Sequence, residues 1–232
     1  MVLYRVALSS FHTGLLRIEP LALAHAGPMF EMADRPRFND FLLWKRPADV
    51  GEVQRLVEGW IARRATGKHA SFAMFDRASG QFAGRLALTI VPEFPEWVAM
   101  TCELHPAFWG GAHALEATHW MQWVIFERLD AAVALAYSFE PNVRARRFMT
   151  DKAELHELPL EPCAPSWMPA RPDRLVTHVN TRKRWRVQAQ AYGLAAHEIG
   201  ATEARPIVPA PAVPDETDGH RIALDWRAIV GG

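Results

Sequence analysis

The order of strand-like and helix-like segments is the feature that most constrains how this chain can fold. Over residues 14–160 the apolar patterns predict a strand, two helices, three strands, a helix, a strand, a helix and a strand, in that order. In the clearest helix, "ADVGEVQRLVEGWIARRATG", the apolar residues share one face: Val53, Leu56, Val57, Trp60 and Ile61. The continuous apolar run "AAVALAYSF" predicts a strand buried on both faces. Any fold for this chain has to accommodate that order.

The composition excludes several classes of protein. No apolar run approaches the roughly 18–20 residues that a membrane span needs. Lys and Arg together number 26, as do Asp and Glu, so no global field attracts nucleic acid or an anionic membrane. The two cysteines, Cys102 and Cys163, form neither a metal-ligand spacing nor a disulfide framework. That usage suits a reducing compartment, and we expect a cytoplasmic location.

The segment "HPAFWGGAHALEA", residues 105–117, is the most informative stretch for function. It follows a predicted strand, contains two adjacent glycines and opens a predicted helix. At such a junction, backbone amides and the positive end of the helix dipole can bind an anion. The segment therefore predicts a phosphate site, provided that residues without side chains lie where the backbone approaches the ligand.

The element order, taken with "LRIEPLALAHA", "HPAFWGGAHALEA" and "EPNVRARRFMTDKAEL", resembles the GNAT superfamily of acetyl-CoA-dependent N-acyltransferases. The ribosomal-protein alanine acetyltransferase branch is the most similar, and the resemblance spans residues 14–160. It implies an α/β (α+β) fold with a mixed, mostly antiparallel central sheet flanked by helices. It also implies acetyl-CoA as the cofactor, with the loop after the fourth strand around the pyrophosphate.

The resemblance divides the chain into four parts. Residues 1–13 form an N-terminal segment, and residues 14–160 form the GNAT-like domain. Residues 161–204 are a proline-rich and helical extension, which contains "PLEPCAPSWMPARPDR". Residues 205–232 contain "RPIVPAPAVP" and "HRIALDWRAIV", which predict a stiff linker and a terminal strand. We expect this last part to be an arm that contacts protein partners or other copies of the chain.

The family's phosphate motif can be placed on the sequence residue by residue. The motif is Gln or Arg, any two residues, Gly, any residue, then Gly or Ala. Aligned on His105 and Pro106, it falls on six candidate cofactor-binding residues: Trp109, Gly110, Gly111, Ala112, His113 and Ala114. Ala114 fits, whereas Trp109 replaces the basic or amide residue and Ala112 replaces the central glycine. A shift of one residue would let Gly111 serve. Asn142, the Asn of the penultimate segment, is a seventh candidate.

The resemblance also indicates where acid–base groups belong. Acetyl transfer needs a base for the amine and an acid for the departing thiolate. Glu103, late in the fourth strand, is the candidate base, and a solvent-facing residue on a half-exposed strand is an equally compatible interpretation. For Glu116, in the first turn of the following helix, a structural role is favoured.

The family's acid is a Ser three residues after the Asn, or a Tyr several residues after it. Those positions hold Ala145, Phe148 and Met149, and Ala153 replaces the glycine that usually ends the helix. None of these side chains carries a transferable proton. Tyr137 is the nearby phenol, and we expect it in the core.

Two other groups of residues could in principle bind a metal ion or a nucleic acid. Four histidines look like a cluster, but no Cys, Asp or Glu completes a zinc-like spacing, so we expect no metal. They are His105, His113, His119 and His156. The basic run "RKRWR", residues 182–186, could contact phosphates with Trp185 stacked on a base. A solvated helix face or a protein-docking patch fits the zero net charge better.

These observations leave three functional hypotheses, and the departures from the family pattern in the two signature segments favour the first. In the first, catalysis has been lost and the GNAT-like domain is a structural or docking component of a larger assembly. GNAT-like domains without evident activity occur among tailed-phage particle proteins, so a virion in a bacterial host is one such setting. The second is an active acetyl-CoA-dependent N-acetyltransferase that modifies a protein N-terminus or a small amine. The third is a protein that binds CoA, or another acyl carrier, without turnover.

Overall fold

One sheet organises the part of the chain that the computed structural model describes, which is residues 3, 6–42, 44–158, 174–191 and 200–202. Within these residues the strands are β1 Ser10–His12, β2 Leu16–Pro20, β3 His69–Asp76, β4 Phe82–Val91, β5 Phe94–Leu104, β6 Val133–Phe139, β7 His156–Leu158, β8 Leu175–Thr181 and β9 Gly200–Thr202. The order across the sheet is β7-β8-β6-β5-β4-β3-β2-β1-β9. Every neighbouring pair is antiparallel except β5 and β6, which run parallel.

The helices pack on the two faces of this sheet. They are α1 Ala26–Ala33, α2 Val50–Arg63, α3 Ala112–Trp123, α4 Val143–Arg147 and α5 Arg182–Ala191. α3 and α4 each continue into a π-helical turn, at Val124–Arg128 and Phe148–Lys152. Short 3₁₀ turns occupy Val6–Leu8, Leu23–His25, Phe38–Phe41, Arg64–Thr66 and Pro106–Phe108. The predicted α/β class and the predicted order of ten elements over residues 14–160 are confirmed, from β2 through β7.

The local sequence explains the best-defined elements. Asp49 caps α2 because its Oδ1 accepts a hydrogen bond from the amide of Glu52 at 2.9 Å. Val53 and Val57 of that helix are fully buried. The chain after α2 turns at Gly67, whose φ of 67° lies in the left-handed region. The predicted apolar face of α2 is therefore confirmed.

Each face of the sheet has its own core. α3 packs its apolar side against β-strand residues, and the buried members from the helix and its π-helical turn include Ala117, Trp120, Met121, Val124 and Ile125. On the opposite face, α1 and α2 pack over β3 through Met29, Val53, Val57 and Ala73. The sheet therefore separates an α3 side from an α2 side.

Glu116 has a different structural role from the predicted one. It lies in the second turn of α3, and its Oε2 accepts hydrogen bonds from the Leu15 amide at 2.8 Å and from the Thr13 hydroxyl. The carboxylate thus ties the turn between β1 and β2 to α3 instead of interacting with the helix dipole in the first turn.

The sheet does not end at residue 160. β8, which the apolar pattern did not reveal, lies between β6 and β7. Its buried residues include polar ones, among them His178 and Asn180, which hide the usual strand signal. Asn180 Nδ2 donates to Gln122 Oε1 at 2.5 Å and to Gln188 Oε1 at 2.6 Å. These amide contacts join β8 to both α3 and α5.

The basic run at residues 182–186 belongs to α5, and its tryptophan is buried. Trp185 is 1% exposed, and its indole N–H donates to Glu127 Oε1 at 3.0 Å. It cannot stack on a base, so that alternative is wrong. The predicted arm, residues 205–232, lies outside the described residues. No helix in the part of the chain described has the length and apolar character to cross a membrane.

Gly84 allows β4 and β5 to approach next to Glu103, and replacing it tests that contact. Its φ is 144°, and a Cβ there would lie 2.0 Å from the Glu103 carbonyl oxygen. Because the backbone itself would have to move, we expect Gly84→Ala to lower the free energy of unfolding by about 3 kcal/mol or more. Urea denaturation measures this.

Gly59, an exposed α2 residue, is the matched control, because a Cβ added there would have no neighbour within 4 Å. We expect Gly59→Ala to raise the free energy of unfolding by up to about 1 kcal/mol through helix propensity. Equal effects of the two substitutions would contradict the proposed role of Gly84.

Candidate functional site

Strands β5 and β6 stop pairing halfway along their length. Their parallel register runs from Trp97 opposite Val133 to Met100 opposite Ala136. Beyond that point β5 continues beside β4 as far as Leu104, and β6 continues beside β8 as far as Phe139. The two strands therefore diverge, and the edges that face each other there have no strand partner.

A cavity of about 840 Å³ occupies this divergence. Residues of β5 line it from both faces of the sheet. Met100, Cys102 and Leu104 alternate with Ala99, Thr101 and Glu103, and all six line the cavity. The cavity is therefore a passage through the sheet, with one half on the α3 side and one half on the α2 side. Its volume is typical of a ligand or cofactor site.

The α3 half of the cavity meets the start of that helix. Gly110 adopts a φ of 78°, and Gly111, which precedes α3, has no side chain to cap the first amides. A Cβ on Gly111 would have room, since its nearest neighbours would lie at 3.7 Å. The uncapped amides and the dipole of this twelve-residue helix favour an anion.

A guanidinium lies over the tryptophan of this loop. The Trp109 indole N–H donates to the Leu104 carbonyl at 2.7 Å, which fixes the ring. Arg144 Cζ stands 3.7 Å from the ring centroid. Partial burial, followed by the nearby charge of Arg37, lowers the pKa of Arg144. Among the described residues no carboxylate lies within 4 Å of Arg144, so its charge is available to a ligand.

The α2 half of the cavity contains a buried ion pair. Arg85 Nε donates to Glu103 Oε2 at 2.9 Å, and its NH2 donates to Oε1 at 2.7 Å. Glu103 Oε1 also accepts from the Trp44 indole N–H at 3.1 Å. Both side chains are about 5% exposed. The carboxylate is thus compensated and held in a bidentate geometry.

His69 extends this network away from Glu103. Its Nε2 lies 2.8 Å from Ser71 Oγ and its Nδ1 lies 3.0 Å from Thr89 Oγ1. Arg85 NH1 donates to the same Ser71 hydroxyl at 3.2 Å. Burial, followed by the charges of Arg63 and Arg85, lowers the pKa of His69 to about 3. The imidazole is therefore neutral in the folded protein at ordinary pH.

Comparison with known protein families identifies the fold that carries this cleft. The family model described as the acetyltransferase (GNAT) domain matches residues 16–152. The chain belongs to the GNAT family. The GNAT resemblance stated from the sequence is confirmed. No curated protein matches the chain.

Solved GNAT structures share the fold at low sequence identity. A GCN5-related N-acetyltransferase from Brucella melitensis is 19% identical with a TM-score of 0.69, over 82% of this chain and 87% of that one. A Vibrio cholerae protein assigned as a ribosomal-protein-serine acetyltransferase is 13% identical with a TM-score of 0.65, over 74% and 97%. A GNAT-family acetyltransferase from Bacillus anthracis is 11% identical with a TM-score of 0.61, over 75% and 99%.

The GNAT loop residues that the sequence singled out mostly line the cleft. Those that do are Trp109, Gly110, Gly111, Ala112 and Ala114, and Asn142 joins them. His113 is used differently, because its Nε2 lies 2.9 Å from Asp76 Oδ1. That hydrogen bond, with those from Ser79, lowers the pKa of Asp76 to about 2. Asn142 also caps α4 through the Ala145 amide at 3.2 Å. Cofactor binding by all seven residues stays a prediction.

The acid–base positions of the GNAT pattern also lie at the cleft. Glu103 is at the divergence and is buried, so its interpretation as a solvent-facing residue is wrong, whereas its role as the base stays a prediction. Ala145, Phe148 and Met149 line the cleft and provide no proton donor. Tyr137, expected in the core, is half-buried and lines the cleft as well. Tyr137 also packs against a buried apolar cluster that includes Ala99 and Leu135.

Sequence reasoning missed the residues that give the α2 half its character. They are Trp44, Trp60, Arg63, His69 and Arg85, all of which line the cavity. Arg85 did carry a signal, because it interrupts the apolar strand "FAGRLALTIV" and so needed a buried partner. The tryptophans and Arg63 looked like ordinary helix and loop residues.

The Arg85–Glu103 pair is testable by a double-mutant cycle. Arg85→Met leaves a buried carboxylate without its cation, and we expect it to lower the free energy of unfolding by about 3–5 kcal/mol. Adding Glu103→Leu removes the stranded charge, so the double variant is expected to be much closer to the parent protein. Urea denaturation of the four proteins measures the coupling. Additive effects would show that the two side chains act independently.

The low pKa of His69 predicts a pH dependence of stability. The unfolded histidine binds a proton near pH 6.5, whereas the folded one does so near pH 3. Stability is therefore lost as the pH falls through this window, by up to about 1.4 kcal/mol per pH unit from this group. We expect His69→Gln to remove that part of the slope in urea denaturation from pH 7 to pH 4. An unchanged slope would contradict the assignment.

Proposed function

We propose that this GNAT protein binds acetyl-CoA in the cleft between β5 and β6 and transfers the acetyl group to an amine. The observation that carries the proposal is the end of strand pairing at Met100 and Ala136, which opens a cavity of about 840 Å³ onto the uncapped start of α3. Family membership supports the same cofactor.

The residues around the cleft fit the chemical groups of acetyl-CoA. The first amides of α3 and the guanidinium of Arg144 would hold phosphate. Arg147 and Lys152, which also line the cavity, add positive charge on the same side. The edge of β5 that faces β6 has no strand partner beyond Met100. Its backbone can therefore hydrogen-bond the amide groups of the cofactor's pantetheine chain. When bound, acetyl-CoA would supply the acetyl group, as a thioester that the amine can attack.

Arg144 compensates for the altered phosphate motif. Trp109 stands where the family places a basic or amide residue. A positive charge is nevertheless present at the loop, because Arg144 of α4 stacks on the Trp109 indole. The cation lies at the loop even though it is 35 residues away in sequence. The missing basic residue is thus weak support for loss of cofactor binding.

Proton transfer in this chain would run through fewer groups than the family pattern provides. Glu103 Oε1 accepts from Trp44 and Arg85, whereas among the described residues Oε2 accepts from Arg85 alone. Oε2 therefore keeps a lone pair that can receive the proton of the amine through a water molecule. Ala145, Phe148 and Met149 offer the thiolate no proton, so that proton would come from water or from the Tyr137 hydroxyl.

A second candidate function is favoured by that shortage of acid–base groups. In it, the domain has lost catalysis and serves as a structural or docking component, with a phage virion as one setting. Partners would then be proteins or further copies of the chain held by residues 205–232. This candidate predicts that the cleft is present but that no amine is acetylated.

Calorimetry with acetyl-CoA decides between the two. We expect micromolar binding, and release of free CoA in the presence of an amine. Binding without any acetylated product over a broad amine panel would favour a protein that holds the cofactor without turnover. No heat at millimolar acetyl-CoA would overturn the proposal and leave the structural candidate.

The assignment of Arg144 has its own variant. Because a phosphate contact is lost, we expect Arg144→Ala to weaken acetyl-CoA binding about tenfold. Acetyl-pantetheine, which lacks the nucleotide and its phosphates, should bind both proteins equally. Arg186→Ala, on the exposed side of α5, removes the same charge far from the cavity and should change neither affinity. Equal losses for both ligands would show that Arg144 acts on the fold and not on phosphate.

A further inference from the structure

The α2 half of the cleft has a composition that points to one class of acceptor. We propose that it binds an amine that also carries a carboxylate and an aromatic or apolar body. In this assignment the carboxylate pairs with Arg63 and the body lies against Trp44 and Trp60. The inference rests on the proposed function, since it names the acceptor for the same cleft.

The charges of this half leave one cation without compensation. The charged side chains lining it are Arg37, Arg63, Arg85 and Glu103, and Arg37 Nε donates to Asp40 Oδ2 at 3.5 Å. Arg85 and Glu103 neutralise each other through two hydrogen bonds, and His69 is neutral. Among the described residues, no carboxylate lies within 4 Å of Arg63. A planar guanidinium at the wall of a cavity is suited to bidentate pairing with a carboxylate.

The arginines near Arg63 make hydrogen bonds within the fold, whereas the Arg63 side chain lines the cavity. Arg64 donates to the Leu21 carbonyl at 2.8 Å and so contributes to packing. Arg63, one residue earlier and in the last turn of α2, lines the cavity instead. Arg85 stacks on Trp60 at 3.8 Å and is committed to Glu103. Arg37 is paired with Asp40, so among the described cations of this half Arg63 is the one left to meet a ligand.

The rings of this half form a fixed apolar wall. Trp44 packs edge-on against Phe38 at 6.1 Å and against Trp60 at 6.3 Å, measured between ring centroids. The indole N–H of Trp44 is held by Glu103, so the ring orientation is set by the ion pair. Phe41, Leu42 and Leu56 complete the surface. Such a wall binds an aromatic or aliphatic group and gives a charged chain little to bind.

The same features exclude polycationic amines as acceptors. A polyamine needs carboxylates, and the described lining offers two, Glu103 and Asp151. Arg85 occupies the first, and the second lies in the π-helical turn after α4, on the cofactor side. The positive wall also favours the neutral form of the amine, which is the nucleophilic form.

The transfer step is balanced without a further reactant. The neutral amine nitrogen forms a bond to the acetyl carbon while the carbon–sulfur bond breaks. The nitrogen loses one proton, by way of water, to Glu103 Oε2. The departing sulfur gains one proton from water or from the Tyr137 hydroxyl. The products are an amide that keeps its carboxylate, and free thiol.

Binding of products tests the carboxylate directly and needs no turnover. The probes are N-acetyl-L-phenylalanine and its primary amide, which differ only in the carboxylate, titrated by calorimetry into protein saturated with CoA. We expect the acid to bind at least tenfold more tightly than the amide. Arg63→Ala is expected to weaken the acid about tenfold and to leave the amide unchanged.

Arg55→Ala is the matched control, because Arg55 is exposed on the same helix and does not line the cavity. It should leave both affinities unaltered. With CoA bound, equal affinity for acid and amide, or tighter binding of spermidine than of either, would overturn the acceptor assignment alone. Absence of CoA binding would instead overturn the proposed function. The two failures are therefore distinguishable.

Discussion

The loss of pairing between β5 and β6 is the constraint on which the rest of the site depends. After Met100 and Ala136 each strand keeps only its outer neighbour, β4 or β8. The antiparallel partners on both sides hold the strands apart, so the gap is built into the sheet and does not require a moving part. α3 starts where β5 ends, which puts its uncapped amides at the mouth of that gap. In the proposed reaction, cofactor, acceptor and acid–base groups would meet in this gap.

The Arg85–Glu103 pair defines the α2 side of the gap. Buried ion pairs contribute little net stability, since desolvation offsets most of the attraction. This pair is better understood through what it positions. It orients Trp44 through an indole hydrogen bond, covers one face of Trp60, and links to His69 through Ser71. One ion pair therefore fixes the aromatic wall beside Arg63.

The sequence predicted those elements whose signal is local. The apolar face of α2 and the order of the ten elements depend on spacing along the chain, and both are confirmed. β8 was missed because buried Thr177, His178 and Asn180 mask its apolar pattern. The α2 half of the site was missed for a related reason. Its residues come from four separate segments, and only the strand register brings Arg85 opposite Glu103.

Trp109 shows why a motif read along the chain can misjudge a binding site. Judged by position, the loop has lost a cation, whereas in space Arg144 restores it from another helix. A charge can be supplied from any element that reaches the loop, because electrostatic attraction depends on distance and not on sequence. A proton donor is harder to replace, since it must lie within hydrogen-bond reach of one sulfur atom. The altered loop is therefore compatible with cofactor binding, while the apolar residues at positions 145, 148 and 149 bear on catalysis alone.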